Sequence, residues 1–247
     1  MMKIERSVNI PFVERKFAEL PNKLRWALAG CRYKKQFRKL RRLQTEKVDQ
    51  LSLTETEKLN TIFVHIPKAA GVSIAQSLFG SQAASHTPVF LYLALYGQQR
   101  FDEMYKFTFV RNPWDRVISA YNFLKAGGMN TFDANWAKEH LDNFSDVNDF
   151  VIRGLAHRNI KDWMHFREQA YFLIDPRTNN IGVDFVGRYE NMAADFQTVR
   201  EQLSVTADLK HLNRTITDKA HFRDVLVQKS IDTISDLYRR DIQLLGY

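Results

Sequence analysis

Thr61-Ile-Phe-Val-His-Ile-Pro-Lys-Ala-Ala-Gly-Val-Ser-Ile74 decides the fold. The stretch begins as an apolar run too short for a helix and ends in small residues around one lysine, which predicts a strand, a tight loop and a helix start. A buried strand feeding a loop of outward-pointing N–H groups, followed at once by a helix N-terminus, is a physical recipe for holding a phosphate or sulfate group. Lys68 supplies charge, and Gly71 permits a close backbone approach. It is not a Walker A loop, whose lysine follows the second glycine; here Lys68 comes three residues before Gly71.

Outward from that stretch the pattern repeats. Residues 106–110 are a short run rich in β-formers, closed by Arg111-Asn112-Pro113. Asn112 is a good N-cap and Pro113 suits the first helical position, so a helix is predicted over 113–125. Between the two units, helices are predicted over 73–79, ending at Gly80, and over 89–103, with His86 in their connection. Two strand-loop-helix units with a helical crossover predict a P-loop-like, three-layer α/β domain. Its central parallel sheet is flanked by helices, and its ligand site lies off the carboxyl ends of the strands. Further on, Gly127-Gly128 and scattered polar residues predict a long mobile loop over 126–143, and Ser145 a cap for a helix to about residue 156. Short strands are expected at 171–174 and 183–186 around a turn at 177–180, then a helix over 191–203 and a loop at 211–215. Thr217 is read as the cap of closing helical structure with Ile231, Ile234, Tyr238, Ile242 and Leu245 facing inward.

The chain has 247 residues, 45% hydrophobic and 13% aromatic, enough to bury one sizeable core. Its net charge of +8 is local, because Lys23, Arg25, Arg32, Lys34, Lys35, Arg38, Lys39, Arg41 and Arg42 fall between residues 21 and 45, where no acidic residue occurs. Taking those nine from +8 leaves −1 for the remainder. The basic patch lies apart from the loop at 61–74, and nucleic acid is not an expected partner. Trp26, Ala29, Tyr33, Phe37 and Leu40 recur at helical spacing among those charges, which predicts an amphipathic helix over 23–43. Such a helix either makes peripheral contact with an anionic membrane or docks on the domain with its charges in solvent. Residues 1–58 read as a basic segment with helix and linker, and residues 59–247 as the α/β domain. Cys31 stands alone, which excludes an intramolecular disulfide and a Cys-based metal site. No run approaches the roughly 18 apolar residues of a membrane span, and the start lacks an apolar signal core. The expectation is a cytoplasmic protein, at the inner face of the membrane if the basic helix binds there.

Five separated stretches occur in order: His65-Ile-Pro-Lys-Ala-Ala-Gly-Val-Ser73, Phe109-Val-Arg-Asn-Pro-Trp-Asp-Arg-Val-Ile-Ser-Ala-Tyr121, Asp184-Phe-Val-Gly-Arg-Tyr-Glu-Asn191, His211-Leu-Asn213 and Tyr238-Arg-Arg-Asp-Ile-Gln-Leu-Leu-Gly-Tyr247. Together they resemble the carbohydrate sulfotransferases that use 3′-phosphoadenosine 5′-phosphosulfate (PAPS), of the bacterial-type family 2 related to Golgi glycan sulfotransferases. The first looks like that family's 5′-phosphosulfate loop and the second like its 3′-phosphate segment; the likeness spans residues 61–247. It implies sulfuryl transfer from PAPS to a hydroxyl of a glycan or glycolipid acceptor, with no metal required. The implied cofactor contacts are Lys68, Ala69, Ala70, Gly71, Val72, Ser73 and Ile74 in the loop, Arg111 and Ser119 for the 3′-phosphate, and Arg188 by position. Similar enzymes carry hydroxyl residues where Ala69 and Val72 stand, so two hydrogen bonds to the 5′ group, each worth about 1.5–3 kcal/mol, are missing.

The chemistry agrees with that likeness. PAPS carries a 5′-phosphosulfate and a 3′-phosphate on one ribose, so its site needs two anion cradles on neighbouring strand ends. Lys68 can neutralise charge building on the leaving oxygen, and Arg111 can pair bidentately with the 3′-phosphate. The acceptor hydroxyl must lose a proton. Of seven histidines, His86 is the expected base, because similar sulfotransferases place a histidine in the connection after the phosphate-loop helix. His65 is expected to orient, His211 to lie near the nucleotide, and His140, His157, His165 and His221 to be structural or solvated. Arg111 and Arg116 also fit plain surface ion pairs, and Trp136 and Trp163 are expected to pack in the interior rather than stack on sugars. Two other functions share these residues: a divergent nucleotide-dependent kinase, and a non-catalytic membrane-associated nucleotide-binding module.

Overall fold

The computed structural model describes residues 33–210 and 221–247. The expectations placed on residues 1–32, on the loop at 211–215 and on Thr217 lie outside them.

Among the described residues, β1 (Thr61–Val64), β2 (Tyr105–Val110) and β3 (Phe185–Arg188) form one parallel sheet in that spatial order. All of β1 and most of β2 are buried, as expected of parallel strands covered on both faces. The pleat sorts their side chains. Ile62, Val64 and Val110 face α1 (Lys34–Arg42), α4 (Val89–Glu103), α9 (Ala170–Leu173) and α13 (Arg239–Leu245), meeting Leu40, Leu91, Leu173 and Leu245. Phe63, Phe107 and Phe109 face the other way, onto Ile74 of α3 (Gly71–Phe79) and Phe196 and Val199 of α10 (Met192–Gln202). Helices thus cover both faces, and the chain is the three-layer α/β domain the sequence predicts.

A third cluster is helical. There α5 (Pro113–Lys125), α6 (Thr131–Leu141), α7 (Val147–Arg153), α8 (Arg158–Lys161), α11 (Phe222–Val225) and α12 (Gln228–Leu237) gather Val117, Trp136, Phe150, Ile160, Phe222 and Ile234. Trp136 and Trp163 stack with ring centroids 4.6 Å apart, the interior packing expected of them. In the basic segment, Leu40 and Leu43 share the core with Ile62, and so does Leu53, just before α2 (Thr54–Lys58). The described part of α1 therefore docks its apolar stripe on the domain, while Lys34, Lys35, Arg38, Lys39, Arg41 and Arg42 are exposed.

Three local expectations are corrected. Residues 126–143 are not a long loop but contain α6, whose start is capped by Asn130 Oδ1 accepting from the N–H groups of Phe132 and Asp133. Residues 171–173 lie in helix α9, not a strand, because the Asp241 carboxylate accepts the N–H groups of Gln169 and Ala170, each at 2.8 Å, and so caps a helix start from 72 and 71 residues away. What survives of the expected hairpin is one antiparallel bridge, Ile174 to Ile181; β3 pairs instead with β2. Helix α4 is broken at Gly97, whose φ of 74° lies outside the helical region.

Candidate active site

The loop after β1 is shaped by two left-handed residues that are not glycine, Lys68 (φ 66°) and Ala70 (φ 59°). Each costs about 1–2 kcal/mol. Left-handed residues inside a turn collect successive N–H groups on one side, and the first N–H groups of α3 add to them. Strain of this kind concentrates at ligand-holding loops. A Cβ on Gly71 would lie 1.9 Å from His65 Cδ2, so the helix starts where only glycine fits over the buried imidazole. Ala69 is also buried, in the core cluster that includes Ile62 and Val64. A hydroxyl on that side chain would be buried with it.

Beneath this loop lies Arg116, which sequence left as a surface ion pair and which is fully buried. Its Nε donates to the Pro67 carbonyl at 3.0 Å, and its Nη2 to the carbonyls of His165 (3.3 Å) and Arg167 (2.8 Å). Nη1 makes no hydrogen bond among the described residues. A buried guanidinium spent on carbonyls pins the loop to α5 and keeps its positive charge under the candidate anion site.

Register places the second cradle beside the first. Val64 lies opposite Thr108 and Val110 opposite Arg188, so the chain leaves β2 and β3 level at 111 and 189, two residues beyond the point where it leaves the neighbouring β1 at 65. Asn112 caps α5 by accepting from Asp115 N–H at 2.8 Å, with Pro113 at the first turn, as predicted. Arg111 is buried, its guanidinium 4.1 Å from the centroid of the Tyr189 ring. Gln169 clamps its backbone, accepting the Arg111 N–H at 3.0 Å and donating to its carbonyl at 2.8 Å. Gln169 is in turn fixed by Asp241, so α13 reaches through two residues to set Arg111. Ser119 is buried two turns along α5. Arg188 stands at the same sheet edge, but its guanidinium donates to the Leu245 carbonyl and lies 4.7 Å over the Tyr247 ring.

Three imidazoles converge beside the first loop. His65 and His86 approach edge-on at 4.8 Å between centroids, and His86 and His165 at 6.0 Å. The His86 N–H donates to the His65 carbonyl at 3.1 Å and its Nδ1 lies 3.3 Å from that oxygen, which makes Nδ1 the ring donor and leaves Nε2 with the lone pair. Burial lowers His65 to about 4. Burial also holds His86 well below the usual histidine range, reinforced by His65, His165 and Arg116. Both are neutral near pH 7, the state a proton acceptor needs. His165 Nε2 lies 3.6 Å from Asp133 Oδ1, and the Lys68 ammonium sits 3.8 Å from the centre of the Phe123 ring, itself 5.1 Å from the His165 ring. Among the described residues no group of three or more His, Cys, Asp or Glu side chains is arranged to hold a metal ion.

Residues 52–247 match the sulfotransferase family. The chain belongs to that family. It is also 30% identical over 131 residues to an uncharacterized protein of Archaeoglobus fulgidus, a match covering 53% of this chain and 92% of that one. No solved structure matches it.

In this sulfotransferase-family domain, Lys68 to Ile74 form one loop-and-helix cradle with His86 packed behind it, and Arg111 and Ser119 occupy the neighbouring strand end and helix. Arg188 shares the edge with its side chain turned to the C-terminus. The sequence missed Arg116, Gln169, Asp133 and His165. Asn130 with Asp133 three residues on, followed by Trp136, Ala137 and Leu141, carried the signal for α6. Nothing local marks His165, whose partners Phe123 and Asp133 lie on two other helices.

Proposed function

We propose that the protein moves the sulfuryl group of PAPS to a hydroxyl of a carbohydrate or glycolipid, giving a sulfate ester and adenosine 3′,5′-bisphosphate. The observation that carries this reading is the juxtaposition of two cationic cradles on adjacent parallel strand ends, Lys68 with the α3 N-terminus after β1 and Arg111 after β2. That spacing suits a nucleotide with anionic groups at both ribose positions. The buried charge of Arg116 and the orphaned Nη1 beneath the loop fit an anionic ligand there. PAPS, when bound, supplies the activated sulfuryl group. Lys68 and the loop N–H groups bind the 5′ end and offset charge gathering on the leaving oxygen. Arg111 and Ser119 take the 3′-phosphate. His86, neutral and with Nε2 as acceptor, takes the acceptor's proton. The exposed basic face of α1 is read as a peripheral contact with an anionic membrane surface.

Calorimetry tests the donor class. Adenosine 3′,5′-bisphosphate is expected to bind more tightly than ATP with Mg²⁺, and the reverse order would favour the kinase reading. Labelled PAPS with a glycan panel then tests transfer, with Lys68→Ala as control; full transfer by that variant would remove Lys68 from its role.

A further inference from the structure

Resting on that reading, we propose that Asp133 and His165 form the second half of a two-histidine base, so that the proton His86 takes from the acceptor passes on to His165 Nδ1. The case begins with burial. The side chains of His165 and Asp133 are each 7% exposed, yet His165 Nδ1 has no hydrogen-bond partner among the described residues. A buried ring nitrogen without a partner has given up its hydrogen bond to water for nothing unless it is used. Its other nitrogen faces a carboxylate that is itself held, because Asp133 Oδ2 accepts the Met129 N–H at 3.1 Å and leaves Oδ1 for Nε2. A carboxylate so placed fixes the proton on Nε2 and the lone pair on Nδ1. Burial raises the Asp133 carboxyl, but the His165 ring 3.6 Å away and the Met129 N–H outweigh it and hold the acid below its usual range, with Lys68 adding to them, so Asp133 is charged.

The imidazole beside His165 is His86, at 6.0 Å between ring centroids. The groups facing His86 are His65, His165 and Arg116; the His65 carbonyl favours an imidazolium, but burial and the charges of His65, His165 and Arg116 act against it. Those facing His165 are Asp133, Lys68 and Arg116, together with the His86 ring, and only Asp133 favours a positive charge. A proton left on His86 therefore has a neutral carbonyl as its one favourable neighbour, and one moved to His165 gains an anion. In the balanced step the acceptor O–H breaks as its oxygen bonds to sulfur. The bond from sulfur to the 5′-phosphate oxygen breaks with its electron pair going to that oxygen, and the proton travels through His86 Nε2 to His165 Nδ1. Asp133 acts through His165 and is a positioning residue.

Two readouts on the full chain test this. Ring nitrogen-proton correlation spectra without any nucleotide are expected to show His165 in the Nε2–H form, with Asp133→Asn mixing the tautomers; an Nδ1–H form in the wild type overturns the relay whatever the enzyme does. In sulfate transfer from PAPS, Asp133→Asn, an isosteric change, is expected to lower kcat at least tenfold. It should also move the acid limb of the kcat profile to lower pH, because a weaker base protonates later, and leave bisphosphate affinity intact. His165→Gln is expected to lower kcat similarly. Wild-type kcat and an unmoved acid limb in both variants would overturn the relay and leave the sulfotransferase reading standing. No transfer by the wild-type chain, with the Nε2–H tautomer present, would instead strike the proposed function itself and the relay's catalytic role with it.

Discussion

The imidazole of His65 occupies the space a side chain at residue 71 would need, with 1.9 Å between a built Cβ on Gly71 and His65 Cδ2. One residue ends β1 and the other starts α3, so this single contact sets how closely the helix N-terminus approaches the strand end. Gly71→Ala is expected to displace the ring or the helix start, at about 1–3 kcal/mol for overpacking. Thermal unfolding should show a lower Tm, and bisphosphate binding should weaken at the same time. Unchanged affinity would mean that the helix start does not shape the cradle.

Gln169 clamps the Arg111 backbone at both its N–H and its carbonyl, and the guanidinium lies over the Tyr189 ring just past the end of β2, where the proposed 3′-phosphate sits. Arg111→Ala should therefore weaken adenosine 3′,5′-bisphosphate by about 1.5–3 kcal/mol, roughly 10- to 150-fold, while scarcely changing AMP, which lacks the 3′-phosphate. Equal losses for both nucleotides would place Arg111 elsewhere in the site. Gln169→Ala should reproduce part of the loss.

Lys68 lies over Phe123, a resting place for an ammonium that a phosphate would outcompete. Lys68→Ala is expected to reduce kcat by about 10²–10³ if the ammonium meets charge that develops only as the leaving oxygen departs. A rise in the KM for PAPS with kcat unchanged would assign it to ground-state binding instead.

The parts of the fold that sequence made legible were those written in short range. Asn112 and Pro113 announce α5, and the apolar runs at 61–64 and 106–110 announce β1 and β2, because capping and burial act on neighbouring residues. Both anion cradles follow from them. Residues 171–173 were misread because their β-forming side chains are overruled by Asp241, a cap supplied from the far end of the domain. Gly127-Gly128 drew attention to a turn, yet Gly128 lies against the Asp133 side chain and introduces α6 rather than a loop. Arg116 and His165 were beyond local reading, since what defines them is burial among residues brought together only by the sheet and α5.

Acid should unfold the protein through its histidines. His65 has a folded value of about 4 against 6.5 unfolded, so below pH 6.5 the unfolded chain takes a proton the native one refuses. Its share of stability is whole above pH 6.5 and falls as pH drops toward 4, by about 3 kcal/mol in all. His86 and His165, also lowered, act with the same sign. Denaturant unfolding measured from pH 7 to 4 should show this slope, and His65→Gln should flatten it. An equal slope in that variant would place the acid sensitivity elsewhere.

The basic helix calls for substitution rather than deletion, because Leu40 and Leu43 belong to the core and removing residues 1–45 would open it. Lys34, Lys35, Arg38 and Lys39 are exposed, and replacing all four by Gln leaves the buried stripe untouched. With the stripe docked, any membrane attraction through α1 is electrostatic, at about 1 kcal/mol per charge. The fourfold variant should then bind anionic vesicles roughly a thousandfold more weakly, with Tm and bisphosphate affinity unchanged. Sedimentation equal to that of the wild type would show that α1 is a docked helix whose charges simply face water.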